Sequence, residues 1–123
     1  MRVRLISIAV SALLLGCQKQ DYKVLVGGTV IVAPGALPID DSIIVISGGK
    51  VRSVGMRKDI PVPQNSDRTD LNGEWILPAP GARIADGEAA NLVIVHRAPN
   101  SSATPAAPSD VGARMVNGEW QTP

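Results

Sequence analysis

Ser42-Ile43-Ile44-Val45-Ile46-Ser47-Gly48-Gly49-Lys50-Val51-Arg52-Ser53-Val54 is the stretch that decides the fold class. Residues 43–46 are an unbroken run of β-branched apolar side chains, the pattern of a strand covered on both faces. Residues 50–54 alternate apolar and polar, as a half-exposed neighbouring strand does. Between them, Gly48-Gly49 supplies the positive φ that a primed two-residue turn requires, so the two runs read as a β-hairpin.

The same grammar repeats on either side. Tyr22-Lys23-Val24-Leu25-Val26 leads through Gly27-Gly28 into Thr29-Val30-Ile31-Val32, read as a hairpin on the same glycine-pair signal. Arg68-Thr69-Asp70-Leu71 and Glu74-Trp75-Ile76-Leu77 flank Asn72-Gly73, and residues 113–116 and Glu119-Trp120-Gln121 flank Asn117-Gly118. Each of these also predicts a hairpin. Leu92-Val93-Ile94-Val95-His96 reads as a further buried strand, and Asp40-Asp41 as turn chemistry before Ser42. Residues 59–67, with Pro61 and Pro63, read as a loop. Residues 82–90 read as polar and irregular, with room for one helical turn at Glu88-Ala89-Ala90. Residues 98–110, rich in Pro, Ser and Ala, read as a mobile loop. The expectation is an all-β domain over residues 22–121, a small, mostly antiparallel β-sandwich or partly closed barrel. Asn-Gly-Glu-Trp occurs at residues 72–75 and again at 117–120. Two explanations stand side by side: shared turn chemistry, or two hairpins with equivalent parts in one sandwich.

Composition bounds what such a domain can do. The 123 residues are too few for a (β/α)₈ barrel of roughly 250. A formal net charge of +1, with no basic stripe, gives no reason to expect a nucleic-acid partner. Aromatic residues are 2% of the chain, so a core must be built from Val, Ile, Leu and Ala. One Cys excludes a disulfide within the chain, and one Cys with one His leaves almost nothing for a metal site of the His/Cys kind.

The N-terminus reads as an address. Arg2 and Arg4 form a basic n-region, and residues 5–15 are an apolar run interrupted only by Ser7 and Ser11. That run is shorter than the roughly 20 residues of a spanning helix but suits the helical core of a cleaved signal peptide. Its end, Leu14-Leu15-Gly16-Cys17, resembles the lipobox of bacterial lipoproteins. The resemblance implies a signal peptide at residues 1–16, cleavage after Gly16, lipid attachment at Cys17 and a short tether at residues 17–21. Two or three acyl chains, at about 0.8 kcal/mol per buried CH₂, anchor a protein stably where one does not. With Gln18 rather than Asp after the Cys, the resemblance implies the bacterial outer membrane, facing the periplasm. Without Arg2 and Arg4 the mature chain has 10 basic and 11 acidic side chains, a formal charge of about −1.

The order of the β segments resembles the accessory, or composite, sandwich domain of metal-dependent amidohydrolases of the imidazolonepropionase and dihydroorotase type. Val24-Leu25-Val26-Gly27-Gly28-Thr29-Val30-Ile31 resembles the family's opening strand, and residues 42–55 its next hairpin. Leu71-Asn72-Gly73-Glu74-Trp75-Ile76-Leu77-Pro78 is similar to the strand that leads into the catalytic barrel. Gly87-Glu88-Ala89-Ala90-Asn91-Leu92-Val93-Ile94-Val95 resembles the segment that returns from it, and Met115-Val116-Asn117-Gly118-Glu119-Trp120 the closing hairpin. The departure is larger than the match. Where the family has Pro-Gly followed by a metal-binding His-x-His, this chain has Pro80-Gly81-Ala82-Arg83-Ile84-Ala85 and passes directly to the returning segment. The barrel is missing, and the resemblance implies that its two junctions lie close together.

No catalytic, cofactor-binding or metal-binding residues are assigned. The family's hydrolysis needs a divalent metal held by several His and a carboxylate, and His96 alone cannot build that site. His96 reads as a solvent-facing residue at a strand end. Adjacent Asp40 and Asp41 would point to opposite faces of a strand. Ser101 and Ser102 have no base in their sequence context, Gly27-Gly28 lacks the Gly-Lys-Ser/Thr of a phosphate loop, and Trp75 and Trp120 read as cover for the core. The function expected is a lipid-anchored, non-catalytic binding or scaffold module, and the sequence argues against catalysis by this chain alone. The alternatives are the sandwich part of a split amidohydrolase, completed by a separate barrel chain, and a truncated relic. Removing a barrel should uncover apolar surface near Pro78, Gly81 and Arg83, where a protein partner or a second copy is expected to dock. Nothing in residues 82–90 reads as long or apolar enough to fill the space.

Overall fold

The computed structural model describes residues 21–100 and 102–122. The expected signal peptide and Cys17 lie outside the described residues. Nine strands form two mixed sheets, and the described residues contain no α-helix. The first sheet has the order β4-β3-β1-β5, with β1 Tyr22–Val26, β3 Ser42–Ser47, β4 Lys50–Met56 and β5 Ser66–Asp70. The second has the order β2-β6-β7-β8-β9, with β2 Thr29–Val30, β6 Trp75–Pro78, β7 Leu92–Val95, β8 Val111–Val116 and β9 Glu119–Trp120. Five of the strand pairings are antiparallel and two are parallel. The architecture is therefore the expected sandwich and not a closed barrel.

The apolar run of β3 behaves as its sequence requires. All six of its residues are buried, because alternate side chains serve two different clusters. Ile44 and Ile46 point into the central core with Leu25, Val51, Ile76, Leu92, Ile94 and Met115, which come from both sheets. Ile43 and Val45 point the other way and join Val24 and Val26, covered by Tyr22 and Ile60. On the far side of the second sheet, Leu77, Val93 and Val95 are covered by Ala103 and Ala36. Each sheet is thus also covered on its outer face, in part by loop residues, which explains why strands of a two-layer sandwich read as continuous apolar runs.

Two of the four expected hairpins form. Ser47 pairs with Lys50 across Gly48-Gly49, and Val116 with Glu119 across Asn117-Gly118. The other two do not. At Gly27-Gly28 the chain leaves the first sheet and enters the second, and at Asn72-Gly73 it does so again. The crossings run side by side: β1 lies parallel to β5 before them, and β2 parallel to β6 after them. Both edges of β1 are occupied, one by β3 over four residue pairs and one by β5 over five. A two-residue β2 cannot compete for either edge. The crossing at Gly28 is held instead by Ser42, whose buried Oγ donates to Gly28 O at 2.7 Å. The two Asn-Gly-Glu-Trp copies therefore serve different purposes, one a sheet crossing and one a hairpin.

Residues 82–90 form no helical turn. Ala89 bridges Lys50, and Val51 exchanges bonds with Glu88 O and Gly87 N, each 2.8 Å. Ile84 N donates to Val32 O at 2.8 Å, so the segment straps the two sheets together. Contrary to the expectation that nothing here fills space, Ile84 (2% exposed) and Ala90 (0%) enter the central core. Burying one such branched side chain contributes about 1.5–3 kcal/mol.

Candidate functional site

The junction expected to matter most is set by register. Pro78, last in β6, pairs with Leu92, first in β7, and Ala79 N donates to Asn91 O at 3.0 Å. The chain leaves and re-enters the second sheet at one place, with residues 79–91 as the connection.

Around that junction one pole of the sandwich is assembled from four segments. The turns Gly48-Gly49 and Asn117-Gly118 interlock: a Cβ on Gly118 would lie 2.8 Å from Gly49 Cα, and one on Gly49 would lie 2.8 Å from Asn117 O. Both glycines have positive φ, 78° and 82°, so any side chain there meets strain as well as contact. Ala90 stitches the turns to the strap, donating to Gly49 O at 2.9 Å and accepting from Gly118 N at 3.0 Å. Asp21 is at the same pole, sharing a concavity with Gly48, Gly49, Gly118 and Glu119. Beside it, Lys23 Nζ donates to Gly118 O at 2.7 Å and to Glu119 Oε2 at 3.0 Å.

A hollow of about 440 Å³ adjoins the strap, lined mostly by apolar groups including Pro34, Leu77, Pro78, Pro80, Val93 and Ala103, with Arg114 also on its wall. Pro78 is buried, whereas Gly81 and Arg83 are exposed. Arg83 Nε donates to Glu88 Oε1 at 3.0 Å, an exposed pair that holds the strap's ends together but adds little stability.

The remaining polar candidates are scattered. His96 follows β7 at the opposite pole, exposed as expected, with Nδ1 2.7 Å from Glu74 Oε1. Asp41, at φ 48°, pairs with Arg57 at 2.7 Å, while Asp40 Oδ1 accepts from Thr29 Oγ1 at 3.2 Å. These are turn and crossing contacts. Ser101 lies outside the described residues, and the exposed Ser102 donates its backbone N–H to Asn100 Oδ1. Trp120 packs against the central core and Trp75 against the outer cluster of the second sheet. Among the described residues no group of three or more His, Cys, Asp or Glu side chains could hold a metal ion. Within residues 98–110, Ala103 is buried and Asp110 Oδ2 accepts from Ala107 N at 3.1 Å.

Sequence reasoning passed over residues 33–38, Ala-Pro-Gly-Ala-Leu-Pro. The available signal was six uncharged residues in a row between two strands, but it fits no motif and its importance depends on where the turn projects.

No family model matches the chain, and neither does any curated protein. Solved structures match parts of it. A molinate hydrolase shares 33% identity over 50% of this chain and 13% of its own, with a TM-score of 0.43. A prolidase complexed with N-methylphosphonate-L-proline shares 28% identity over 46% and 14% respectively, with a TM-score of 0.40. The guanine deaminase of E. coli shares 23% identity over 46% and 16%, with a TM-score of 0.41. The matched proteins are enzymes of the amidohydrolase kind, and this chain spans between 13% and 16% of their lengths.

Proposed function

We propose that this chain is a lipid-anchored, non-catalytic sandwich of the amidohydrolase composite-domain type, working as a binding or scaffold module in the bacterial envelope. The observation that carries the reading is the pairing of Pro78 with Leu92. Residues similar to the family's barrel-leading and barrel-returning segments are neighbours in one ladder, so a short strap can stand where a barrel is inserted. Loop closure costs only about 0.6 kcal/mol per doubling of length, so either connection suits the same sandwich. The strap's own core residues, Ile84 and Ala90, support a domain complete without the barrel. Anchoring at Cys17 follows from the lipobox resemblance, and residues around Pro78, Gly81 and Arg83 supply the contact surface.

The test is amide hydrolysis by the purified protein with added Zn²⁺. No turnover is expected from the chain alone, and turnover there would overturn the reading. Hydrolysis that appears only on mixing with a separate barrel chain would establish the split-enzyme alternative instead.

A further inference from the structure

Leu37 is 86% exposed, the most exposed large apolar side chain among the described residues. It belongs to the uncharged stretch 33–38. Val30 and Ile39 form an antiparallel bridge with both backbone bonds made, 3.0 and 2.9 Å, so residues 33–38 project beyond it as a closed loop. The direction of that projection follows from register. β2 runs parallel to β6, whose last residue is Pro78, so the chain beyond β2 emerges at the Pro78 pole. Pro34 shares the hollow with Pro78 and Pro80. Ala36 turns inward onto the outer cluster, while Leu37 has no such cover. Val116, 46% exposed, stands beside the Asn117-Gly118 turn at the same pole.

Asp21 is at this pole too, and only residues 18–20 separate it from Cys17. We infer that this pole is the bilayer-facing surface of the protein and that the tip of the 33–38 loop enters the headgroup region of a phospholipid membrane. The inference rests on the reading of Cys17 as the lipid attachment point. Residues 18–21 then reach roughly 14 Å at full extension, which brings this pole to the membrane before any other part of the molecule. An apolar loop tip at the interface replaces water with the boundary of the acyl region, as the apolar face of an interfacial helix does.

Charge plays only a small part in the attraction. Lys23 is paired with Glu119 and Arg83 with Glu88, which leaves Lys50, Arg52 beside the Gly48 turn and Arg114 on the wall of the hollow against Asp21 and Asp86. Zwitterionic headgroups are therefore sufficient, and salt should not release the contact. A protein interface needs about 800 Å² of complementary surface per partner. Here the exposed apolar side chains, Leu37 and Val116, stand on two different loops, and the strap exposes no large apolar side chain. A fluid surface accepts such isolated tips without matching their shape.

The experiment uses the protein extracted from membranes, with Cys17 acylation read by mass spectrometry, reconstituted in phosphatidylcholine vesicles containing spin-labelled lipid. A fluorophore is placed at Leu37→Cys, Pro80→Cys or Lys58→Cys, the last just beyond the far end of β4. Quenching at positions 37 and 80 is expected to exceed that at 58 several-fold and to survive high salt. Equal quenching in an acylated protein overturns the orientation and leaves the anchor standing, whereas an unacylated Cys17 overturns both. A Leu37–Leu37 contact found by cross-linking, with weak lipid quenching, would overturn the inference in favour of a second copy. Leu37→Asp is expected to lower quenching of the label at position 80, and an unchanged signal would refute the loop's part in the contact.

Discussion

Pro78 and Leu92 are the last and first residues of adjacent strands and face each other across one antiparallel ladder. The relationship makes everything between them optional in length. Whether a strap or a whole domain connects these two residues, the ladder that joins them is the same. The strap has nevertheless become part of the core through Ile84 and Ala90, so its sequence is less free than its length.

Lengthening the strap at its tip should be tolerated. Gly81 is exposed, has φ 79° and has no neighbouring atom within 4 Å of a Cβ position. A flexible Gly/Ser insertion between Gly81 and Ala82 is expected to cost under about 1 kcal/mol. The urea midpoint reads this directly, and a collapse of the transition would show that the tip is structurally required.

Truncating Ile84 should be far more damaging than lengthening the tip. Ile84→Ala removes branched volume from the central core, with an expected loss of about 2–5 kcal/mol. Equilibrium unfolding in denaturant measures it. A loss below that of the Gly81 insertion would mean that the strap does not seal the sandwich.

The two interlocked turns offer a matched comparison. Gly118→Ala meets Gly49 Cα at 2.8 Å, whereas Gly73→Ala, at nearly the same φ, meets nothing within 4 Å. Both carry the backbone cost of placing alanine at positive φ, about 1–2 kcal/mol. The melting temperature of Gly118→Ala should therefore fall further than that of Gly73→Ala, and similar values would indicate that the turns separate freely.

Cys17→Ser should leave the precursor uncut and without lipid. Electrophoretic mobility and partition between membrane and soluble fractions report both effects. A variant processed and located like the parent would remove the basis for anchoring.

By itself the sequence determined the all-β class, the β3-β4 and β8-β9 hairpins and the double-sided burial of residues 43–46. These depend on interactions a few residues apart: turn conformations that want glycine or Asn-Gly, and apolar runs that need cover on both faces. It also placed His96 at an exposed strand end. Only the tertiary structure decided that Gly27-Gly28 and Asn72-Gly73 are crossings, because that outcome depends on β3 and β5 occupying both edges of β1 from distant parts of the chain. The same holds for Ile84, a lone apolar residue in a polar stretch whose burial required Val32 and Val51 to be brought to either side of it. Leu37 is the clearest case: an exposed leucine has no meaning in sequence, and its place at the Pro78 pole arises only when a parallel strand pair carries its loop there.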